Sequence, residues 1–289
     1  MKKFCIIANR DKDEDLFLTN QIIGFLTENE CQVVIAKEAN DEMHYTDINS
    51  IPLDTECVIV LGGDGTILQA SHDLIYSSIP ILGINLGTLG FLAEIEIQNV
   101  KNALTNVIQG KYRIEERMMI GAKFQSEYHH ISTKDEYKAL NDIVIARSGF
   151  SRIICVGIYV NGAWVHDYRG DGVIISTPTG STGYNLSAGG PIITPMAEMM
   201  VITPICPHTL NTRSIVVSDR DTVEVVIRES KKTQKEEAIA TMDGERAVNL
   251  SANDRAIIRK SEFKVKLLRF DEYCFFNLLR SKFGEEKYH

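Results

Sequence analysis

Residues 58–68 constrain the fold more than any other part of this chain. The first four, Val58, Ile59, Val60 and Leu61, are apolar in succession, which is typical of a strand buried on both faces of a parallel sheet. Three glycines follow within four residues, and the apolar spacing that begins at Ile67 predicts a helix. A strand, a glycine turn and a helix start bring backbone N–H groups and the positive helix end to one point, where an anion can bind.

Asp64 lies among these glycines and is the unexpected residue of the turn. Gly63 and Gly65 carry no Cβ that would keep phosphate oxygens from the backbone, whereas a carboxylate repels phosphate. Asp64 therefore indicates chemistry or a bound cation. Gly-Asp-Gly is also a common turn composition, so a purely structural turn remains the alternative. The chain contains neither a G-x-x-x-x-G-K-[ST] P-loop nor a G-x-G-x-x-G after a strand.

Composition excludes several classes of function. The 289 residues carry a formal net charge of -8, so neither nucleic acid nor an anionic membrane surface is attracted. The apolar runs are too short for a membrane span, and the N-terminal one is too short for a signal peptide. We therefore expect a cytoplasmic protein that binds no nucleic acid and no membrane.

Cysteine and histidine spacing does not predict a metal site of the protein's own. The six cysteines are scattered without a C-x-x-C pair and lie mostly in apolar runs, which favours buried, reduced thiols. His129 and His130 lie in a polar segment that lacks further ligands at metal spacing, so we expect a solvated loop there.

The pattern of elements changes near residue 113. Before it, strands alternate with helices, which predicts an α/β domain over 1–112 with a parallel sheet covered on both faces. Its glycine loops, 62–65 and 87–90, both follow strands, and ligands of such sheets bind at the carboxyl ends of strands. Over 113–268 short alternating runs and turn dipeptides such as Asn161-Gly162 predict an antiparallel β-sandwich, with 125–138 as an exposed hairpin tip. Helical spacing over 269–289 predicts a C-terminal helix that packs back on the first domain.

Residues 170–191 form a second unusual stretch, rich in glycine and hydroxyl side chains after an apolar strand. Such a segment supplies many short donors with little steric bulk, which suits a polyhydroxylated or phosphorylated ligand. An exposed Ser/Thr/Gly loop is the alternative.

Five motifs resemble those of the NAD kinases and occur in the same order: GGDGT at 62–66, NLGTLGFL at 85–92, LND at 140–142, GDG at 170–172 and TPTGSTGY at 177–184. The first is shared with diacylglycerol and sphingosine kinases, and the last is far more specific. The resemblance covers nearly the whole chain. It implies ATP-dependent phosphorylation of the adenosine-ribose 2′-hydroxyl of NAD to give NADP, by an α/β domain and a β-sandwich.

The resemblance also assigns roles to individual residues. Asp64 resembles the catalytic aspartate, which accepts the proton of the attacking hydroxyl. The residues that the resemblance places at substrate or nucleotide are Gly63, Gly65, Phe91, Asn141, Asp142, Arg152, Arg169, Asp171, Thr182, Gly183, Tyr184, Asn185 and Ser187. Two departures from the family pattern are Asp142, which is shorter than the glutamate of many members, and Gly183, where others carry alanine.

The resemblance implies partners as well. NAD and ATP are the expected ligands, with polyphosphate as a possible alternative donor, and Mg²⁺ or another divalent cation is expected to arrive with ATP. The family is homo-oligomeric, which implies a homodimer or a homotetramer. Two other functions stay open on the residues alone: a lipid or sugar kinase that shares the 62–66 motif, and a non-catalytic dinucleotide sensor.

Overall fold

The computed structural model describes residues 1–39, 44–126, 136–148, 153–209, 212–229, 237–270 and 275–284. The described chain forms two compact units, one of residues 1–117 and 264–289 and the other of residues 118–263. The sequence pattern places its own divisions at 112/113 and 268/269. These remain predictions about domain limits.

Strands and helices alternate in the first part of the chain. In order they are β1 (Lys3–Ala8), α1 (Phe17–Glu28), β2 (Gln32–Ile35), β3 (Cys57–Gly62), α2 (Asp64–Asp73), β4 (Ile81–Asn85), β5 (Ile95–Glu96) and α3 (Val100–Ile108). Strands β2, β1, β3 and β4 lie side by side in that order, all parallel, and β5 adds to β4 in the same direction. The predicted parallel sheet is confirmed.

Helices cover both faces of this sheet. Apolar side chains of α1 and α3, such as Ile22 and Leu104, share one buried cluster with Ile6 and Ile59 from the strands. On the opposite face α2 packs so closely that a Cβ on Gly83 would lie 2.4 Å from Cδ1 of Ile67. Strands β3 and β4 are buried along their whole length, as their unbroken apolar sequence predicts.

The rest of the chain is mainly strand. The elements are β6 (Arg113–Gln125), β7 (Tyr137–Ala139), β8 (Asp142–Arg147), β9 (Ile154–Val160), β10 (Ala163–Gly170), β11 (Gly172–Ser176), α4 (Tyr184–Ser187), β12 (Met199–Ile205), β13 (Ile215–Ser218), β14 (Val223–Ile227), β15 (Glu237–Met242), β16 (Arg246–Ser251), β17 (Arg255–Arg269) and α5 (Phe275–Phe283).

Two antiparallel layers build the second unit. One layer has the strand order β13-β12-β11-β8-β15-β16. In the other, β9 lies between β10 and β14, and the first part of β17 follows β14. Inward side chains of both layers, among them Ile145, Ile175, Ile158 and Val225, form one buried cluster. This is the β-sandwich that the alternating pattern predicts.

Turn chemistry explains the hairpins of this unit. Asn161 and Gly162 join β9 to β10 with φ of 52° and 80°, the left-handed pair that a two-residue hairpin turn requires. Between β15 and β16, Asp243 and Gly244 are also left-handed, with φ of 52° and 75°, in a three-residue connection between the paired residues Met242 and Arg246. Most of the predicted 125–138 hairpin tip, including His129 and His130, lies outside the described residues.

The five cysteines within the described ranges are free thiols, as predicted. Cys5, Cys31 and Cys57 are buried and Cys155 is half-buried, but Cys206 is exposed. The expectation of burial is therefore wrong for Cys206, because this residue follows β12 in a loop at the surface and not in a strand.

Candidate nucleotide-binding and phosphoryl-transfer site

The first glycine loop joins β3 directly to α2. Gly63 is the N-cap residue of α2, and it provides no side chain to cap the first helical amides. Asp64 is the first residue of the helix, and Gly65 follows it at the exposed surface. The first amides of α2 and the positive end of the helix dipole lie directly after β3, which is the backbone arrangement that the sequence predicts for binding an anion.

The Asp64 carboxylate is held by three consecutive backbone amides of the second glycine loop. Phe91 N donates to Oδ2 at 2.8 Å, and the amides of Leu92 and Ala93 each donate to Oδ1 at 3.0 Å. Gly90 lies directly against this carboxylate, since a Cβ there would be 1.9 Å from Oδ1. The two glycine loops that the sequence places at strand ends therefore meet, and Asp64 joins them.

Arg269 fixes the same peptide from its carbonyl side. Its guanidinium donates to the carbonyl oxygens of Leu92 at 3.0 Å and Phe91 at 3.2 Å, and pairs with the Glu94 carboxylate at 3.1 Å. The Arg269 side chain is only 3% exposed. Residues 91–93 are thus held by Asp64 through their amides and by Arg269 through two of their carbonyls, which leaves this segment little freedom to move.

The Phe91 ring has partners within its own unit. It packs against the ring of Phe275 in α5 with centroids 5.9 Å apart, and the Lys282 ammonium lies 5.2 Å from its centroid. Phe91 is half-buried, so part of the residue stays accessible.

In the second unit, Asp243 repeats what Asp64 does in the first. The amides of Leu140 and Asn141 each donate to its carboxylate at 2.7 Å, and that of Asp142 donates at 3.0 Å. Asp243 N in turn donates to the Asp142 carbonyl at 3.0 Å. The predicted pair Asn141-Asp142 is therefore fixed by the β15–β16 turn, which lies about 100 residues further along the chain.

Asp142 is an unusual carboxylic acid. Its side chain is buried and lies near the Asp243 charge, and these two effects, burial first, raise its pKa from 3.8 to about 7. Burial penalises the ionised form, and a like charge adds to that penalty. Asp142 consequently changes its charge close to neutral pH.

The hydroxyl-rich segment after β11 is mostly folded inward and is not an exposed loop. Thr177 Oγ1 donates to the Leu140 carbonyl at 2.5 Å, and Ser181 Oγ donates to the Pro178 carbonyl at 2.7 Å. The Asn185 amide donates to the carbonyls of Ser181 and Pro191 and accepts from Thr203. These side chains shape the loop, because their hydrogen bonds are made within the chain.

Four residues of this segment remain accessible. Thr182 is half-buried, and Gly183, Tyr184 and Ser187 are exposed. Gly183 lies beside Asn141, since a Cβ there would be 3.8 Å from Asn141 Nδ2. The structure thus brings Gly183 of this loop next to Asn141.

Asp171 and Arg169 lie elsewhere in the same unit. The register of β8 and β11 pairs Ser176 with Asp142 and Gly172 with Ala146, so Asp171 is at the opposite end of these strands, roughly 17 Å away. Asp171 pairs there with Arg147 at 2.8 Å, and Arg169 is exposed near the end of β10, the strand that precedes β11 in sequence and belongs to the other layer. Arg152, also predicted to bind the ligand, lies outside the described residues.

Sequence reasoning overlooked two residues of these sites, Asp243 and Arg269. The dipeptide Asp243-Gly244 is a turn signal, and nothing local shows that its carboxylate reaches residues 140–142. Arg269 ends an alternating strand, and no local sequence pattern indicates its role.

Among the described residues, no group of three or more His, Cys, Asp or Glu side chains is arranged to hold a metal ion. A search of the same residues found no helix of the length and apolarity that a membrane crossing requires.

Comparison with known proteins identifies the family. The family described as ATP-NAD kinase N-terminal domain matches residues 4–112, and the ATP-NAD kinase C-terminal domain matches residues 140–270. The NAD kinase of Lachnoclostridium phytofermentans is 60% identical over 99% of this chain and 100% of the relative, and that of Lachnospira eligens is 40% identical over 98% and 100%.

Solved structures have the same fold. An NAD kinase from Archaeoglobus fulgidus in complex with ATP superposes with a TM-score of 0.76 at 26% identity and covers 96% of this chain and 97% of its own. Yeast NADH kinase complexed with NADH gives a TM-score of 0.81 at 22% identity, over 100% of this chain and 89% of its own, which supports the fold.

The fold and these matches define a phosphotransferase, in which an α/β domain is followed in sequence by a β-sandwich. The chain belongs to the ATP-NAD kinase family. The predicted fold class, family and enzyme class are therefore confirmed, and NAD kinase activity is what this membership implies.

Proposed function

We propose that this chain transfers the terminal phosphoryl group of ATP to the 2′-hydroxyl of the adenosine ribose of NAD, giving NADP. The observation that carries the proposal is the position of Asp64, a half-buried carboxylate that three amides hold at the N-terminus of α2. The relatives named NAD kinase support the reaction. The Archaeoglobus enzyme, solved in complex with ATP, supports ATP as one of the two ligands.

Asp64 is the proton acceptor in this proposal. A carboxylate offers about four lone-pair sites, and three amide hydrogen bonds leave one for the ribose hydroxyl. The same three bonds fix the direction of that remaining lone pair, so the acceptor is oriented before the substrate arrives. Removal of a positioned base costs about 10²–10⁴-fold in rate.

The donor phosphates are assigned to the first glycine loop, in a nucleotide-binding domain of residues 1–112. Gly63 and Gly65 present backbone amides at the start of α2, where the helix dipole also favours negative charge. A divalent cation bound with ATP neutralises phosphate charge during phosphoryl transfer. We propose that Mg²⁺ is held chiefly by the phosphates, as is usual in phosphoryl transfer.

The dinucleotide is assigned to the β-sandwich domain of residues 113–268. Asn141 and Asp142 offer an amide and a carboxyl beside the accessible residues of the 182–187 loop, and these groups suit ribose hydroxyls and a base. Thr182, Gly183, Tyr184 and Ser187 are the proposed loop contacts. Asn185 has both ends of its amide engaged inside the chain, so we assign it to holding the loop.

A homodimer or homotetramer completes the proposal. Arg169 and Asp171 lie at the far end of the strands that carry Asn141 and Asp142, roughly 17 Å away. One copy of this unit cannot bring both sets of residues to the same part of a ligand. If Arg169 and Asp171 contact the dinucleotide, they do so most simply from a second copy of the chain, and the mass of the purified protein in solution tests this.

The test is NADP formation by the purified full chain with Mg²⁺. ATP and inorganic polyphosphate are offered in parallel as donors, and NAD and NADH as acceptors. We expect NADP from ATP and NAD. If a lipid or a sugar is phosphorylated from ATP and no NADP is formed, the protein is a lipid or sugar kinase and the proposal is wrong. Binding of NAD without turnover under all four conditions would make the protein a sensor.

A further inference from the structure

Arg269 and Asp64 bind opposite ends of the same two peptide groups. The first group joins Phe91 to Leu92, and the second joins Leu92 to Ala93. In each group the carbonyl oxygen accepts from Arg269 and the N–H donates to Asp64. A hydrogen bond at one end of a peptide group polarises it and strengthens the bond at the other end. The cation and the anion are therefore connected through two peptide dipoles without touching each other.

Two carboxylates fix the direction of the Arg269 guanidinium. Its Nη1 lies 3.1 Å from Oε2 of Glu94, and its Nε lies 3.5 Å from Oε1 of Glu115. Glu94 directly follows the two peptide groups, whereas Glu115 belongs to β6. The guanidinium is thus held from two separate segments while its remaining N–H groups point at the carbonyl oxygens.

Glu115 is a permanent counter-charge in this buried cluster. Arg113 Nη1 donates to its Oε2 and Arg117 Nε donates to its Oε1, both at 2.7 Å, from alternate positions on one face of β6. Burial acts to raise the pKa of Glu115, but the charges of these two arginines and of Arg269 outweigh it and lower the pKa from 4.5 to about 2. Glu115 is consequently ionised at neutral pH.

Stability alone does not explain a buried cluster of this kind. The cost of removing charged groups from water offsets most of their attraction, and apolar side chains of similar volume often stabilise a protein as well or better. Apolar side chains cannot, however, donate to the carbonyl oxygens of residues 91 and 92. The contacts that distinguish Arg269 are therefore those to the segment that holds Asp64.

We propose that Arg269 is a positioning residue for the proton acceptor: it fixes and polarises the two peptide groups whose N–H groups orient the Asp64 carboxylate. The inference rests on the proposed function for the role of Asp64. The hold of Arg269 on residues 91–93 is a separate property, and it can be measured without turnover.

The first experiment compares Arg269→Lys with Arg117→Lys in the full chain. Lysine keeps the charge but loses the planar fork that reaches two carbonyls at once. Arg117 is the matched control, because it also pairs with Glu115 and its side chain is 4% exposed against 3% for Arg269. We expect kcat to fall about tenfold in Arg269→Lys, with the KM for ATP and for NAD changed less than twofold. In Arg117→Lys kcat should stay within about twofold of the parent.

The same substitution in an Asp64→Asn background tests whether Arg269 acts through Asp64. Two residues that act through one contact are not additive. We expect Arg269→Lys to lower kcat less than about twofold once Asp64 is replaced. A tenfold fall in both backgrounds would overturn the proposal. Should Arg269→Lys not fold, Glu94→Gln takes its place, since it loosens the guanidinium without removing it, and a kcat equal to that of the parent would then be the contradicting result.

Hydrogen exchange separates this inference from the proposed function. In the peptide that contains residues 91–93, we expect exchange about tenfold faster in Arg269→Lys than in the parent and in Arg117→Lys. If NADP is formed but Arg269→Lys keeps its kcat, the positioning role is wrong and the function stands. If no NADP is formed but the exchange depends on Arg269, the function is wrong and Arg269 still holds the segment. Equal changes in both variants would show a general loss of stability and would overturn the proposal.

Discussion

Two aspartates, one in each unit, hold three successive backbone amides in the same way. Asp64 accepts from residues 91–93 and Asp243 accepts from residues 140–142, all at 2.7–3.0 Å. In both cases a carboxylate fixes a loop that lies apart from it in sequence. The hydrogen-bond pattern is the same, so it is not what separates the two proposed roles.

The surroundings of the two carboxylates differ. Asp64 begins a helix and lies among glycine amides near the Lys12 ammonium, where negative charge is favoured and a ligand has access. Asp243 lies in a hairpin turn beside buried Asp142, whose pKa is raised by burial and by this neighbouring charge. We infer from this comparison that the first carboxylate can take part in chemistry, whereas the second positions residues that are proposed to bind the dinucleotide.

Asp64→Asn should give the largest effect. Asparagine keeps the size of the side chain and one acceptor oxygen but loses the charge and the basicity. We expect turnover to fall by at least about 10²-fold with NAD still bound. The measurement is kcat for NADP formation together with the Kd of NAD. Turnover that survives this change would show that Asp64 is not the proton acceptor.

Gly90→Ala tests whether the position of Asp64 matters in addition to its charge. The new Cβ would lie 1.9 Å from Oδ1 of Asp64, so the carboxylate or the loop must move. We expect kcat to fall about 10-fold to 100-fold, the usual consequence of misplacing a reacting group. Gly24→Ala in α1 is the control: its Cβ meets nothing within 4 Å, and alanine should stabilise the helix. An unchanged kcat in Gly90→Ala would show that this loop is not required for turnover.

Asp243→Asn should affect binding more than chemistry. The variant keeps one acceptor oxygen but sets an NH₂ group against one of the amides of residues 140–142. We expect the KM for NAD to rise about tenfold while kcat changes little, the reverse of the Asp64→Asn pattern. Steady-state kinetics of the two variants side by side decide this. If kcat fell in Asp243→Asn while the KM for NAD stayed the same, the roles proposed for Asp64 and Asp243 would be wrong.

The raised pKa of Asp142 should give a smaller effect, a dependence of the free energy of unfolding on pH. Because its folded pKa of about 7 lies above its ordinary value of 3.8, its contribution to stability is complete below pH 4 and is lost as the pH rises to about 7. Asp142→Asn has no such loss. The free energy of unfolding of the parent, measured against this variant by denaturant titration, should therefore fall between about pH 4 and about pH 7 and stay level above that. A difference independent of pH would contradict the raised pKa.

Local features of the sequence predict much of the fold. The apolar run that ends at Leu61 and the glycines after it predict β3, the turn and α2, because burial and helix starts leave short-range signals. Asn161-Gly162 predicts its hairpin for the same reason. Both glycine loops lie at the ends of neighbouring parallel strands as predicted, and this brings Asp64 and Phe91 into one region.

Contacts between distant segments could not be predicted in this way. Asp243 reaches amides 101 to 103 residues away, and Arg269 reaches carbonyls 177 and 178 residues away. The spacing of apolar residues along the sequence does not indicate such long-range pairs. The inward hydrogen bonds of Ser181 and Asn185 were missed for a related reason, since composition gives the number of hydroxyl and amide groups and not their direction.

The proposed role of Asp64 as proton acceptor depends on one distance, from its carboxylate to the 2′-oxygen of the adenosine ribose. It can be measured in a crystal of the full chain with NAD and a non-hydrolysable ATP analogue. We predict a distance of about 2.6–3.2 Å, with the amides of residues 91–93 still donating to the carboxylate. A ribose beyond hydrogen-bond reach of Asp64, in a complex where both ligands are bound, would contradict it.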